Sequence, residues 1–185
     1  MDSANAFAQR MQDNYNADAF YFNYKEDAAR ILSMVELIKN RYKLVVIGVH
    51  NYARYPVNNF GISTYALDLV SQIQQNKSTI IFDFGNPYAL KNFCNAANLI
   101  ACYEDDSITQ RTAADMLEGK LYAKGKLPVT VCNNYKYGSG IIAENILPMA
   151  APEAVGLNAA KLEIIDSIAE DGIAKGAFPG CVVLA

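Results

Sequence analysis

The sequence has a single histidine, His50, which excludes a His-rich metal site. Its four cysteines, Cys94, Cys102, Cys132 and Cys181, are widely spaced and form no CxxC pair, which argues against a thiolate metal site. Three of them sit in or beside apolar runs, so buried free thiols are the expectation. Basic residues are not in excess: the formal net charge is -3, and no nucleic-acid partner is implied. No apolar run is long enough to span a bilayer. The N-terminus lacks a charged start followed by an apolar block, so no signal peptide is visible. The dinucleotide G-x-G-x-x-G, the phosphate loop G-x-x-x-x-G-K-[ST], the nucleophile elbow G-x-S-x-G, H-E-x-x-H and S-x-x-K are all absent. No serine sits on a sharp strand-to-helix turn to join His50 in a catalytic triad. No cofactor is expected.

What is present is a chain of 185 residues, 52% apolar, enough for one domain with an appendage. Residues 79–84 (T-I-I-F-D-F) form an apolar run interrupted only by Asp83 and stop at Gly85-Asn86-Pro87. Such a run suits a central strand of a parallel sheet. Residues 42–49 and 98–102 read as further buried strands, and 127–132 (L-P-V-T-V-C) as another, with Pro128 at a strand start or edge. Helical spacing marks residues 25–41, where Ala28, Ile31, Leu32, Val35 and Ile38 recur on one face. Residues 4–14 are weakly helical. Ser63 suits the N-cap of a helix to Gln75, and Asp106 or Ser107 that of a helix to Glu118 closed by Gly119. Residues 19–22 (A-F-Y-F) read as a short strand or an aromatic plug. Alternation of strand and helix predicts an α/β fold, a doubly wound and mostly parallel sheet flanked by helices.

After Val131 the texture changes. Residues 1–132 form the α/β domain and 133–157, rich in Asn, Tyr, Gly and Pro, read as a linker. Residues 158–175 form a new amphipathic helix with Leu162, Ile165, Ile168, Ala169 and Ile173 on one face, followed by a strand at 181–184. A strand cut short of partners suggests a piece of something longer.

Three constellations carry chemistry. The loop after the second strand holds His50, Asn51, Tyr52, Arg54, Asn58 and Asn59. Amides and Arg suit sugar hydroxyls and aromatic rings stack on pyranose faces; alternatively, Asn58 and Asn59 simply make turns. Gly85-Asn86-Pro87-Tyr88 follows the central strand, where open α/β sheets place ligands, or serves as a plain strand-to-helix connection. In Tyr103-Glu104-Asp105-Asp106, adjacent carboxylates can raise one another's pKa and supply an acid, but capping of the following helix is the favoured reading.

Four segments, residues 80–90 with G-N-P-Y-A-L, A-C-Y-E-D-D-S-I-T-Q at 101–110, A-A-D-M-L-E-G-K at 113–120 and K-G-K-L-P-V-T-V at 124–131, together resemble the second, α/β-sandwich domain of family 3 glycoside hydrolases. The F-G-N-P-Y form is similar to the β-N-acetylhexosaminidase branch. P-E-A-V-G-L at 152–157, K-L-E-I-I-D at 161–166 and G-A-F-P-G-C-V-V-L at 176–184 resemble the opening of a serine β-lactamase-like domain, making residues 158–185 its truncated start. The resemblance implies a retaining glycosidase whose nucleophile lies on an N-terminal TIM-barrel domain, the partner of this one. The acid/base is a second-domain Glu in the glucosidase branch, with Glu104 the nearest position here, and a His–Asp pair on a barrel loop in the hexosaminidase branch. His50 does not correspond to that His. No catalytic residue is therefore assigned, and the chain should be inactive alone. His50, Asn51, Arg54, Asn58, Asn59, Asn86, Tyr88 and Glu104 remain as substrate-proximal candidates. Carbohydrate is an indirect ligand, a homodimer stays open, and so does the compartment, bacterial periplasm or cytoplasm. The competing reading is a stand-alone α/β module that binds a small polar ligand.

Overall fold

The computed structural model describes residues 5–23, 29–142 and 151–179. The chain divides into two units, Met1–Glu144 and Asn145–Ala185. In the first, three parallel strands lie in the order β1 (Leu44–Val49), β2 (Ser78–Asp83) and β3 (Leu99–Ala101). Val46 faces Ile80 across the first pair and Ile81 faces Leu99 across the second. The expected α/β class, a parallel sheet flanked by helices, is what forms.

Alternation of side chains along each strand divides the core into two layers. On one face, Phe82 and Phe84, with Val46, Ile80 and Ile100, meet Phe7 and Met11 of α1 (Ala6–Tyr15) and Ala113 and Ala114 of α4 (Ser107–Leu117). On the other, Ile47, Val49, Ile81 and Leu99 meet Phe60, Ile62, Ala66 of α3 (Thr64–Asn76) and Phe93. There α2 (Ala29–Arg41) closes the layer, laying Ile31, Val35 and Ile38 against Leu69 and Ile73 of α3. Leu32, expected on that buried face, is instead exposed; Ala28 lies outside the described residues. Phe22 packs on both clusters of this layer, so residues 19–22 act as the aromatic plug rather than a strand.

The caps of α3 and α4 form at residues expected from the sequence, and Asn5, not singled out there, caps α1. Asn5, Ser63 and Asp106 each accept backbone N–H groups from the first turn of α1, α3 and α4. Arg10 ties α1 to α4 through Asp115 at 2.6 Å and Glu118 at 2.7 Å.

Two expectations are corrected. Residues 127–132 do not join the sheet: they fold back on residues 135–139, with the Leu127 N–H donating to Ser139 O at 2.7 Å and the Val131 N–H to Tyr135 O at 2.9 Å. Residues 133–142 accordingly belong to the first unit. And Cys94 and Cys132 are not free thiols but a disulfide, with their Cα atoms 6.7 Å apart. Cys102 is a half-buried free thiol; Cys181 lies outside the described residues.

In the second unit, a 3-10 turn (Pro152–Val155) leads to α5 (Ala159–Ala174), capped by Asn158. Phe178 folds back over Gly172, where a Cβ would come within 2.5 Å of its ring. The strand expected at 181–184 falls outside the described residues. No described helix is long and apolar enough to cross a membrane.

Candidate functional site

All three strands run the same way, so the loops after them gather at one edge of the sheet. His50 directly follows β1. Its ring turns back over Gly48, where a Cβ would lie 2.5 Å from Nε2, so only glycine leaves room for it. The imidazole stacks on Phe84 at a centroid distance of 4.1 Å. Its Nδ1 lies 2.7 Å from Asp105 Oδ1, just beyond β3. Asp105 also accepts the Asn51 N–H at 2.7 Å and the Gln110 amide at 2.8 Å. Gln110 in turn accepts the Ala6 N–H at 2.9 Å, joining α1 to the network. Burial acts to raise the Asp105 pKa, but the His50 hydrogen bond and then the Asn51 and Gln110 donors outweigh it and hold the carboxyl below its usual range. Asn51 and Tyr103, on either side of this clamp, both adopt left-handed backbone angles, φ 55° and 69°. Such angles in non-glycine residues cost about 1 kcal/mol or more each, and the surrounding contacts must hold them.

A second cluster sits on the other side of the sheet edge. Asp83, the lone acid of the apolar run, is 1% exposed. The Tyr52 hydroxyl donates to its Oδ2 at 3.0 Å and also lies 3.3 Å from Asn86 O. Oδ1 has no hydrogen-bond partner among the described residues. Burial pushes the Asp83 carboxyl up to about 7, against the Tyr52 hydrogen bond. The neighbouring Cys102 thiol is pushed up to about 12, first by burial and then by Asp83. Tyr52 reaches Asp83 only because residue 85 is glycine: a Cβ there would lie 2.7 Å from the phenol ring.

Asn86 locks the two rim loops together. Its amide donates to Arg54 O at 3.0 Å and its Oδ1 accepts the Tyr88 N–H at 3.0 Å. Pro87 opens a 3-10 segment, Pro87–Phe93, at its first turn. The sequence candidates thus divide. His50 and Asn51 join the Asp105 clamp, while Asn86 and Tyr88 meet on the other side, where Arg54 takes part through its carbonyl. Asn58 and Asn59 take φ values of 50° and 53° and make the turn that seats buried Phe60. Glu104 stays exposed at the surface. Of the adjacent acids, Asp106 caps α4 while Asp105 holds the rim. Among the described residues, no group of three or more His, Cys, Asp or Glu could hold a metal ion.

Fold and site together define an α/β domain with a polar, aromatic rim at the carboxyl ends of its strands. No protein-family model matches the chain, and no curated protein matches it. In structure it is similar to a fungal multi-domain GH3 β-N-acetylglucosaminidase, a protein described as containing a unique GCN5-related glucosamine N-acetyltransferase region. The TM-score is 0.57 at 17% identity, over 73% of this chain and 15% of that one. At that identity the likeness shows the fold alone.

Proposed function

We propose that residues 1–132 form the second, non-catalytic α/β domain of a retaining glycoside hydrolase of the GH3 type, with a β-N-acetylhexosaminidase-like or β-glucosidase-like parent active in carbohydrate metabolism. Its partner is an N-terminal TIM barrel of the same parent protein, whose active site it supports. The observation that carries this reading is the gathering of the loops after β1, β2 and β3, the last two within the family-like segments, at one rim. The structural likeness to a multi-domain GH3 enzyme supports it. The acids at the rim are ill suited to attack a sugar: Asp83 is 1% exposed and Asp105 is held by His50, Asn51 and Gln110. Retaining hydrolysis needs two carboxyl groups facing the substrate about 5 Å apart. The isolated chain is therefore expected to turn over an aryl β-N-acetylglucosaminide no faster than buffer; activity well above that control would overturn the reading. We propose residues 158–185 as the opening of a serine β-lactamase-like domain.

A stand-alone module that binds a small polar ligand is the second reading, favoured by a pocket of about 320 Å³ within the first unit itself. The mass of the native product in its source cell separates the two. A product several times larger supports the glycosidase domain, and one of this size supports the module.

A further inference from the structure

The pocket lies between the rim loop after β1, the segment Pro87–Phe93 and the loop that carries Val131. Pro56, Phe60, Asn86, Tyr88, Lys91 and Val131 line it. At about 320 Å³ it sits at the small end of small-molecule sites (~300–1,000 Å³), a volume for one ring rather than an extended chain. Its walls are mostly apolar. Tyr88 is 53% exposed, and its ring supplies a flat aromatic surface. The Asn86 amide spends one N–H on Arg54 O and one oxygen lone pair on the Tyr88 N–H, which fixes its place in the wall. One charge enters the pocket, that of Lys91, whose Nζ stands 5.7 Å from the centroid of the Phe60 ring. No acid is among the lining residues, and Lys91 makes no ion pair among the described residues. An apolar and aromatic cup with one cation that rests on a ring face and has no acid partner among the described residues suits a ligand with a ring face and one negative charge.

We propose that this pocket binds a pyranose bearing a carboxylate, a uronic acid in the simplest case, with Tyr88 against the ring and Lys91 on the carboxylate. The proposal deepens the carbohydrate reading given above and rests on it. It is tested by titrating the full chain with glucuronate, glucose and acetate while following backbone amide resonances at low salt. Glucuronate is expected to shift Tyr88 and Lys91 saturably and to bind roughly tenfold more tightly than glucose, the margin a charge-assisted hydrogen bond supplies. Lys91→Met should bring glucuronate down to the level of glucose, and Tyr88→Ala should weaken both sugars. Both side chains are exposed, so neither variant threatens the fold. Equal affinity for the two sugars overturns the anionic ligand and leaves the carbohydrate reading standing. Acetate binding as tightly as glucuronate overturns the pyranose. No shift with either sugar overturns the proposal, and the separate test of native mass then decides the glycosidase reading.

Discussion

Asp83→Asn is expected to stabilise the protein on the order of 4 kcal/mol at pH 8 and to change little near pH 4. The wild-type carboxyl is buried, with one oxygen bonded by Tyr52 and the other without a partner among the described residues. A charge there has lost its water and gained one neutral donor, so the folded state favours the protonated form, and the carboxyl rises from 3.8 to about 7. Proton binding sets the sign. Between those two values the native state holds a proton that the unfolded state has released, so stability falls as pH rises through that window and levels off above it. Each unit of pKa difference is worth about 1.4 kcal/mol, which sets the total. Asparagine keeps the shape and the oxygen that accepts from Tyr52 but cannot ionise. Thermal melts of both proteins at several pH values check this. Asp105, with its lowered pKa, acts in the opposite sense and loses its contribution as pH falls; its charge also helps to raise the Asp83 carboxyl, so the variant relieves that repulsion as well. A melting difference that stays constant from pH 4 to 8 would mean that Asp83 does not titrate in the folded protein across that range.

Asp83 was visible in the sequence as the one break in its apolar run, though not as a site residue. A lone carboxylate in T-I-I-F-D-F is out of place in a parallel strand, and its position at the strand end puts it where such sheets hold ligands. The strands and caps were legible for a related reason. Apolar runs and N-cap residues act locally, and β1, β2, β3, Ser63 and Asp106 form where the pattern put them. What failed depends on contacts distant in sequence. Asp105 and Asp106 are equivalent as letters; only the left-handed turn at Tyr103 and the meeting of the loops after β1 and β3 across the end of β2 send one to His50 and the other to the helix cap. Residues 127–132 carry strand-forming Val and Thr, but strand propensity measures fit to neighbours, and here the neighbours are residues 135–139 and Cys94. Lys91 gave no signal at all, because a lysine in a helical segment ordinarily lies on a solvated face.

Removing the Cys94–Cys132 bond, in the double variant Cys94→Ser/Cys132→Ser, is expected to cost about 4 kcal/mol and to lower the melting temperature by roughly 10 °C. The two cysteines are 38 positions apart, a span that spacing alone could not reveal as a pair. The closed loop contains all of β3 and α4, so the bond restrains the unfolded chain over much of the second half of the first unit. Chain-entropy arguments give about 3 kcal/mol for a short loop and nearly 5 for one of about 100 residues, with this one between. Melts of the wild type with and without reductant should show the same loss, and the double variant should not respond to reductant. A wild type that also fails to respond would mean that the bond is absent or carries no stability. The local effect should be smaller than a complete release. The Asn134 amide still donates to Cys94 O and the Tyr135 hydroxyl to Ala96 O, each at 3.1 Å, so the loop stays near its place without the bond. Faster hydrogen exchange at the Leu127 and Val131 amides, which close the fold-back, is the expected local sign. Because Val131 is a wall of the pocket and Cys132 its neighbour, the same variant should weaken any ligand held between Val131 and Tyr88, while the His50–Asp105 clamp, on the other side of the sheet edge, is left in place.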